Sequence, residues 1–158
     1  MTFKRFEDIQ SWQLARELSK QVKKMSDGAD FSKDWELKRQ IRSSSGSIMD
    51  CIAEGYERGN NNEFIYFLGV ALGSCGEVRS QGYRALDYAY ISMEELEQLK
   101  TLAIRTSAAI RALLDYLLKS EKSGFRMQKK SPKTKTYKNS SDNPDPYFPN
   151  TEPPISER

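Results

Sequence analysis

Four acidic residues of this chain have the types and spacing that most resemble those of a metal site or a catalytic site. Asp50, Glu54 and Glu57 recur at helical spacing, and Glu77 lies in the next predicted helix. Carboxylates on facing helices can hold metal ions, but bundle sites of that kind also use histidines, and the 158 residues contain none. Asp50 and Glu57 also fall on the outward arc of their helix. We therefore expect no metal and no cofactor.

The absence of histidine also bears on catalysis. It removes the commonest general base and every Ser/His or Cys/His pair. Cys51 and Cys75 fall on the apolar faces of predicted helices, where cysteine usually serves as a small hydrophobic residue. Glu54 and Arg58 are four residues apart, a spacing typical of an ion pair on a helix surface. The sequence favours a protein that is not an enzyme.

Basic side chains are the candidate contacts to nucleic-acid phosphates. Arg16, Lys20 and Lys23 fall on the side of the first predicted helix opposite its apolar stripe, and the second helix adds Arg39 and Arg42. The remaining candidates are four lysines of the C-terminal part, Lys129, Lys130, Lys133 and Lys135. Residues 1–120 nevertheless hold 17 Lys and Arg against 17 Asp and Glu. A dedicated nucleic-acid binder usually has a strongly basic domain, so the alternative is that these are solvated faces.

Hydrophobic periodicity predicts the helices that position these residues. The first spans residues 7–26 and ends before Gly28. The second follows an N-cap at Ser32 and continues to about residue 58. The third begins within residues 60–64, where Asn60 and Glu63 have capping-box spacing, and continues through residue 90, and Ser92 with Glu95 forms a capping box that opens the fourth. Four amphipathic helices with short connections indicate an all-α protein, an antiparallel up-down-up-down four-helix bundle.

The chain divides into two parts by composition. All six prolines lie at or beyond Pro132, and the whole net charge of +3 belongs to residues 121–158. We expect residues 1–120 to form the bundle and residues 121–158 to be a disordered tail, basic first and then acidic and Pro-rich. No apolar run is long enough for a membrane span, and the N-terminus lacks a secretory signal. We expect a soluble, cytoplasmic protein with no membrane partner.

Small residues on the outward faces of the second and third helices indicate a surface for self-association. Glycine inside a helix costs about 0.5 to 1 kcal/mol relative to alanine, so an outward cluster of glycines needs a compensating contact. The candidate interface residues are Gly46, Met49, Ala53, Tyr66, Gly69, Val70 and Gly73. We predict a homo-oligomer; the alternative is that both faces are used inside one bundle.

Three segments resemble a known family. FEDIQSWQLARELS, ELKRQIRSSSGSIMDCIAEGYERG and NEFIYFLGVALGSCGEV are similar to the four-helix-bundle proteins encoded in intervening sequences of bacterial 23S rRNA genes, over residues 3–118. A proline and an asparagine that the family often places before Ile52 are Met49 and Cys51 here. The resemblance implies a four-helix bundle that commonly forms a homopentameric ring. Relatives include an accessory protein that partners a retroelement reverse transcriptase and binds nucleic acid.

Two functions are consistent with these observations. One is an oligomeric protein associated with rRNA, another RNA or DNA, acting as an accessory of a ribonucleoprotein or a reverse transcriptase. The other is an oligomeric scaffold that binds a partner protein and no nucleic acid. The two differ in whether the basic side chains contact phosphates, which binding measurements at two salt concentrations separate.

Overall fold

A computed structural model describes residues 3–122 of the chain, and it forms four α-helices, as predicted. Helix α1 spans Gln10–Ser26, α2 spans Trp35–Glu57, α3 spans Asn61–Asp87 and α4 spans Met93–Lys122. Two 3-10 turns, Phe6–Asp8 and Phe31–Lys33, precede α1 and α2. The sequence assigned residues 121–158 to a C-terminal tail; residues 121 and 122 belong to α4, and residues 123–158 lie outside the described range.

Three of the four helices begin where a side chain accepts hydrogen bonds from otherwise unpaired backbone amides. The backbone nitrogen of Leu37 donates to the Asp34 carboxylate at 2.9 Å, and that of Asn62 donates to the Asn60 side chain at 2.9 Å. The capping box that opens α4 is confirmed, because Glu95 donates its backbone N–H to Ser92 Oγ at 3.2 Å and accepts from the Ser92 backbone at 2.8 Å.

Three predicted helix ends were wrong. The first helix begins at Gln10 rather than at residue 7, since Phe6–Asp8 forms a separate 3-10 turn. Ser32 is not the N-cap of α2, because it lies within the turn Phe31–Lys33 and Asp34 caps the helix instead. Helix α3 ends at Asp87 rather than at residue 90, since the backbone reverses at Ala89 with a φ of 59°.

The helices pack in the cyclic order α1, α2, α3, α4, so that each contacts the two beside it and α4 lies diagonally across from α2. Arg84 Nη1 donates to Gln40 Oε1 at 2.9 Å, and the hydroxyls of Ser47 and Ser74 lie 3.0 Å apart. Residue numbers rise along α2 as they fall along α3 at these contacts. The two helices are therefore antiparallel, as the up-down-up-down topology requires.

The core lies along the axis of the bundle and draws side chains from all four helices. Leu18 of α1, Ile41 of α2, Leu68 of α3 and Leu99 of α4 are fully buried. Burying one such side chain contributes about 1.5 to 3 kcal/mol to folding. Within residues 3–122, no helix is both long enough and apolar enough to cross a membrane.

Candidate functional site

The basic residues of α1 lie together on its solvent side. The three predicted residues, Arg16, Lys20 and Lys23, are exposed. Lys24, which was not predicted, is also exposed and lies beside them. Lys20 pairs with Glu17 at 2.9 Å, and the Arg16 guanidinium lies 5.9 Å from the centre of the Trp12 ring. We call Arg16, Lys20, Lys23 and Lys24 the basic line. The eight-residue spacing from Arg16 to Lys24 is the signal that could have found the fourth member.

Arg42 does not join the basic line as a free cation, because it holds the end of α1 against α2. Its Nε donates to Ser26 Oγ at 2.7 Å and its Nη2 to Asp27 Oδ1 at 2.5 Å. Hydrogen bonds from Lys23 and Arg42 lower the pKa of Asp27 from 3.8 to about 2. Arg42 is therefore engaged in packing two helices together.

Arg39 lies apart from the basic line, on the side of α2 that faces α3. It lines a shallow groove of about 310 Å³ between the two helices, together with Gln40, Ser43, Ser44, Glu77 and Gln81. Ser44 Oγ donates to Glu77 Oε2 at 2.8 Å and accepts from Gln81 Nε2 at 3.1 Å. A carboxylate beside the guanidinium makes this groove a poor phosphate site, because it would repel the ligand.

The helical glycines fall into two classes. A Cβ added at Gly55 would lie 2.8 Å from Phe67 Cβ, and one added at Gly82 would lie 2.7 Å from Leu99 Cδ2. These two allow helices to approach inside the bundle. The other class faces outward, with nothing within 4 Å of an added Cβ; its members are Gly46, Gly69, Gly73 and Gly76.

Two large side chains accompany the outward glycines on α3. Tyr66 is 67% exposed and Val70 is 38% exposed. On α2, the predicted interface residues Met49 and Ala53 are half-buried, and Met49 packs partly against the core. We call the outward surface of these two helices, with Gly46, Gly69, Val70 and Gly73 at its centre, the outer face. Met49 belongs to it only at its edge.

The lysines predicted from the C-terminal part, Lys129, Lys130, Lys133 and Lys135, lie outside the described residues.

The acidic residues show no metal-binding arrangement within residues 3–122, where no group of three or more His, Cys, Asp or Glu side chains converges. Glu54 pairs with Arg58, which also reaches Glu63 at 3.4 Å and lies 4.8 Å from the Phe67 ring centre. This cluster fixes the turn between α2 and α3. Burial raises the pKa of the Cys75 thiol, which disfavours the nucleophilic thiolate.

Comparisons with known proteins agree with this architecture. A crystal structure of a protein of unknown function from the S23 ribosomal protein family of Bacteroides thetaiotaomicron VPI-5482 superposes with a TM-score of 0.62 at 18% identity, covering 66% of this chain and 97% of the other. That likeness shows the fold. No curated protein matches the chain. The profile of the 23S rRNA-intervening sequence proteins matches residues 7–112, and the chain therefore belongs to that family.

Proposed function

We propose that the protein is a non-enzymatic, self-assembling bundle that associates with RNA as an accessory of a ribonucleoprotein. The observation that carries the proposal is the open space over Gly46, Gly69 and Gly73 beside the exposed Tyr66. Within one subunit nothing lies close to these glycines. No packing contact among the described residues therefore offsets the free-energy cost of placing glycine in a helix.

Self-assembly supplies the missing contact. Each outward glycine costs about 0.5 to 1 kcal/mol relative to alanine in a helix interior. A partner helix that packs on the outer face can approach the backbone closely at Gly69 and Gly73 and gain dispersion contacts over several turns. It would also cover Tyr66 and Val70. The resemblance of the sequence to pentameric relatives supports a homo-oligomer, and five is the subunit number we propose.

RNA association rests on the basic line, which assembly multiplies. The Lys20 side chain is 59% exposed, so its ion pair with Glu17 is an exchangeable surface pair, and Lys23 is 62% exposed beside it. One subunit with three or four phosphate contacts would bind weakly, but an oligomer gains affinity through effective concentration. The name of the family, 23S rRNA-intervening sequence protein, favours ribosomal RNA among the nucleic acids.

The test is filter binding of a structured RNA between about 50 and 200 mM salt. The Arg16→Gln, Lys20→Gln, Lys24→Gln variant should bind more weakly, with a salt slope smaller by about one for each phosphate that the variant no longer neutralises. The matched control removes three lysines outside the line, in Lys4→Gln, Lys33→Gln, Lys119→Gln, and should retain most of the binding. A third variant, in which the four candidate tail lysines are changed to glutamine, measures how much of the RNA binding depends on the tail.

The second candidate is a scaffold that binds a protein such as a polymerase and no nucleic acid. The observation in its favour is the balance of charge, since residues 1–120 hold as many Asp and Glu as Lys and Arg. If the wild-type protein retains no RNA at any salt concentration, the RNA proposal fails and the scaffold is favoured. In that case the basic line serves solubility.

A further inference from the structure

Helix α4 has an exposed face that combines short side chains with one large apolar residue. Ile104 is 50% exposed, and the exposed residues Ala108 and Ala112 follow it one and two turns further on. Arg105 and Arg111 flank them and are exposed. We call Ile104, Arg105, Ala108, Arg111 and Ala112 the α4 ridge. A single exposed isoleucine is ordinary, but a ridge of alanines around it lets another helix come close.

Contacts inside the bundle fix the height of each residue along the common axis. Gln40 hydrogen-bonds Arg84, which sets α2 against α3. Gly82 lies against Leu96 and Leu99, and the Lys100 ammonium lies 5.3 Å from the centre of the Tyr83 ring, which sets α4 against α3. Counting from these contacts, Glu97 lies near the height of Arg84, Arg105 near that of Glu77, and Ala108 near that of Gly73.

Along the bundle axis, the outer face carries a basic and then an acidic residue, and α4 carries an acidic and then a basic residue at the same heights. Arg39 and Arg84 lie at one end of the outer face, and Glu77 follows Arg84 after seven residues, or about 10 Å. On α4, Glu97 lies at that same end and Arg105 follows it after eight residues, or about 12 Å. A helix laid beside the outer face without an axial shift would therefore pair opposite charges at both heights.

Several of these charges have no ionic partner within their own subunit. Arg39 and Asp50 on the outer face, and Arg105 and Arg111 on the α4 ridge, form no ion pair within the described residues. Glu77 accepts a hydrogen bond only from the Ser44 hydroxyl among those residues. Glu97 pairs with the neighbouring Lys100 at 2.7 Å, which leaves Glu94 beside it as an additional acidic residue for Arg39.

We propose that the α4 ridge of one subunit docks on the outer face of a second copy, with parallel bundle axes and no shift along them. Ala108 then packs over Gly73, and Arg105 pairs with Glu77. The inference rests on the proposed self-assembly and specifies its second surface. Because α4 lies diagonally across from α2, each subunit offers both surfaces in different directions, and the contact is heterologous. Helix α1 keeps its basic line free in this arrangement.

Mixing two blocked variants of the full-length chain tests the proposal. Gly73→Glu blocks the outer face and leaves the ridge, whereas Ala108→Glu blocks the ridge and leaves the outer face. Each variant alone should be monomeric by light scattering, with its helical circular dichroism retained because neither position belongs to the buried core. An equal mixture should form a one-to-one heterodimer, since one intact ridge meets one intact outer face.

Charge reversal at one predicted pair gives an independent measurement. Glu77→Arg and Arg105→Glu should each raise the dissociation constant of the assembly by at least about tenfold, because each places like charges together. The double variant should restore assembly towards the wild-type level. Failure of that restoration would contradict the pairing.

The outcome that overturns this inference is an Ala108→Glu variant with the wild-type mass beside a monomeric Gly73→Glu variant. The outer face would then pair with its own copy, and the proposed self-assembly would stand without the ridge. If the wild-type chain itself is monomeric, both the inference and the self-assembly fail.

Discussion

At the scale of single residues, Gly55 is a position where the backbone of α2 lies directly against α3. An added Cβ would lie 2.8 Å from Phe67 Cβ, 2.9 Å from Phe64 Cδ2 and 3.3 Å from Phe64 Cα. Two of these three atoms are backbone or Cβ atoms that cannot rotate away. A substitution at this glycine therefore has to separate the two helices.

We expect Gly55→Ala to lower the free energy of unfolding by up to about 2 kcal/mol, since overpacking of about 1 to 3 kcal/mol exceeds the helix propensity gained. Gly76→Ala is the matched control, because an added Cβ there meets nothing within 4 Å. It should instead raise the free energy of unfolding by about 0.5 to 1 kcal/mol. Urea denaturation at one fixed subunit concentration measures both, and equal effects in the two variants would refute the distinction between the glycine classes.

Asp27 is the residue whose ionisation is most clearly coupled to folding. Hydrogen bonds from Lys23 and Arg42 lower its pKa from 3.8 to about 2 in the folded protein. A lowered pKa stabilises the fold when the pH is above 3.8, and that contribution is lost as the pH falls towards about 2.

Asp27→Asn should therefore lower the melting temperature at neutral pH, and the gap from wild type should close between pH 3.8 and about 2. Asp30→Asn is the control, because the Asp30 side chain is 75% exposed and pairs only with Lys33 among the described residues. Thermal unfolding followed by circular dichroism measures the gap. A gap that is constant across this pH range would show that the Asp27 carboxylate has no role in stability.

At the scale of elements, the capping box of α4 is the start signal with the most complete geometry. Ser92 and Glu95 exchange backbone-to-side-chain hydrogen bonds in both directions. We expect Ser92→Ala to lower the free energy of unfolding by about 0.5 to 2 kcal/mol. Thr101→Ala, at an exposed position in the same helix, should change it by less than about 0.5 kcal/mol. A loss at Ser92 no larger than the loss at Thr101 would show that the cap contributes nothing.

The sequence predicted all four helices, but it predicted only some of their ends correctly. Apolar residues at helical spacing predict which side of a helix is buried. The structure confirms this for Leu18, Val22, Ile41 and Leu68, which are all buried. The start of α2 was misplaced because Ser32 and Asp34 are both good caps. The choice between them depends on the 3-10 turn Phe31–Lys33, in which Phe31 is buried and stacks on Tyr90. That contact joins residues far apart in the chain.

The basic candidates show the same limit. The solvent-side placement of Arg16, Lys20 and Lys23 follows from helical spacing alone. The engagement of Arg42 with Ser26 and Asp27 does not, because it depends on how the end of α1 meets α2. Side-chain partners across helices depend on the register of packing, which hydrophobic periodicity leaves open.

At the scale of the whole molecule, the outer face, the α4 ridge and the basic line lie on different parts of the exterior of the bundle. The outer face of α2 and α3 and the α4 ridge are matched in height and charge, and the basic line occupies α1. The proposed assembly and the proposed RNA association would therefore use different helices. Loss of assembly should therefore weaken RNA binding through effective concentration, while loss of the basic line should leave the mass unchanged.

The mass of the particle in solution is the most direct test of the central claim, which is that copies of the chain pack on the outer face. Light scattering of the wild-type protein should give a multiple of the 18.2 kDa chain mass, and Gly73→Glu should give the mass of one chain with an unchanged helical signal. A wild-type particle with the mass of a single chain at every concentration would contradict the claim.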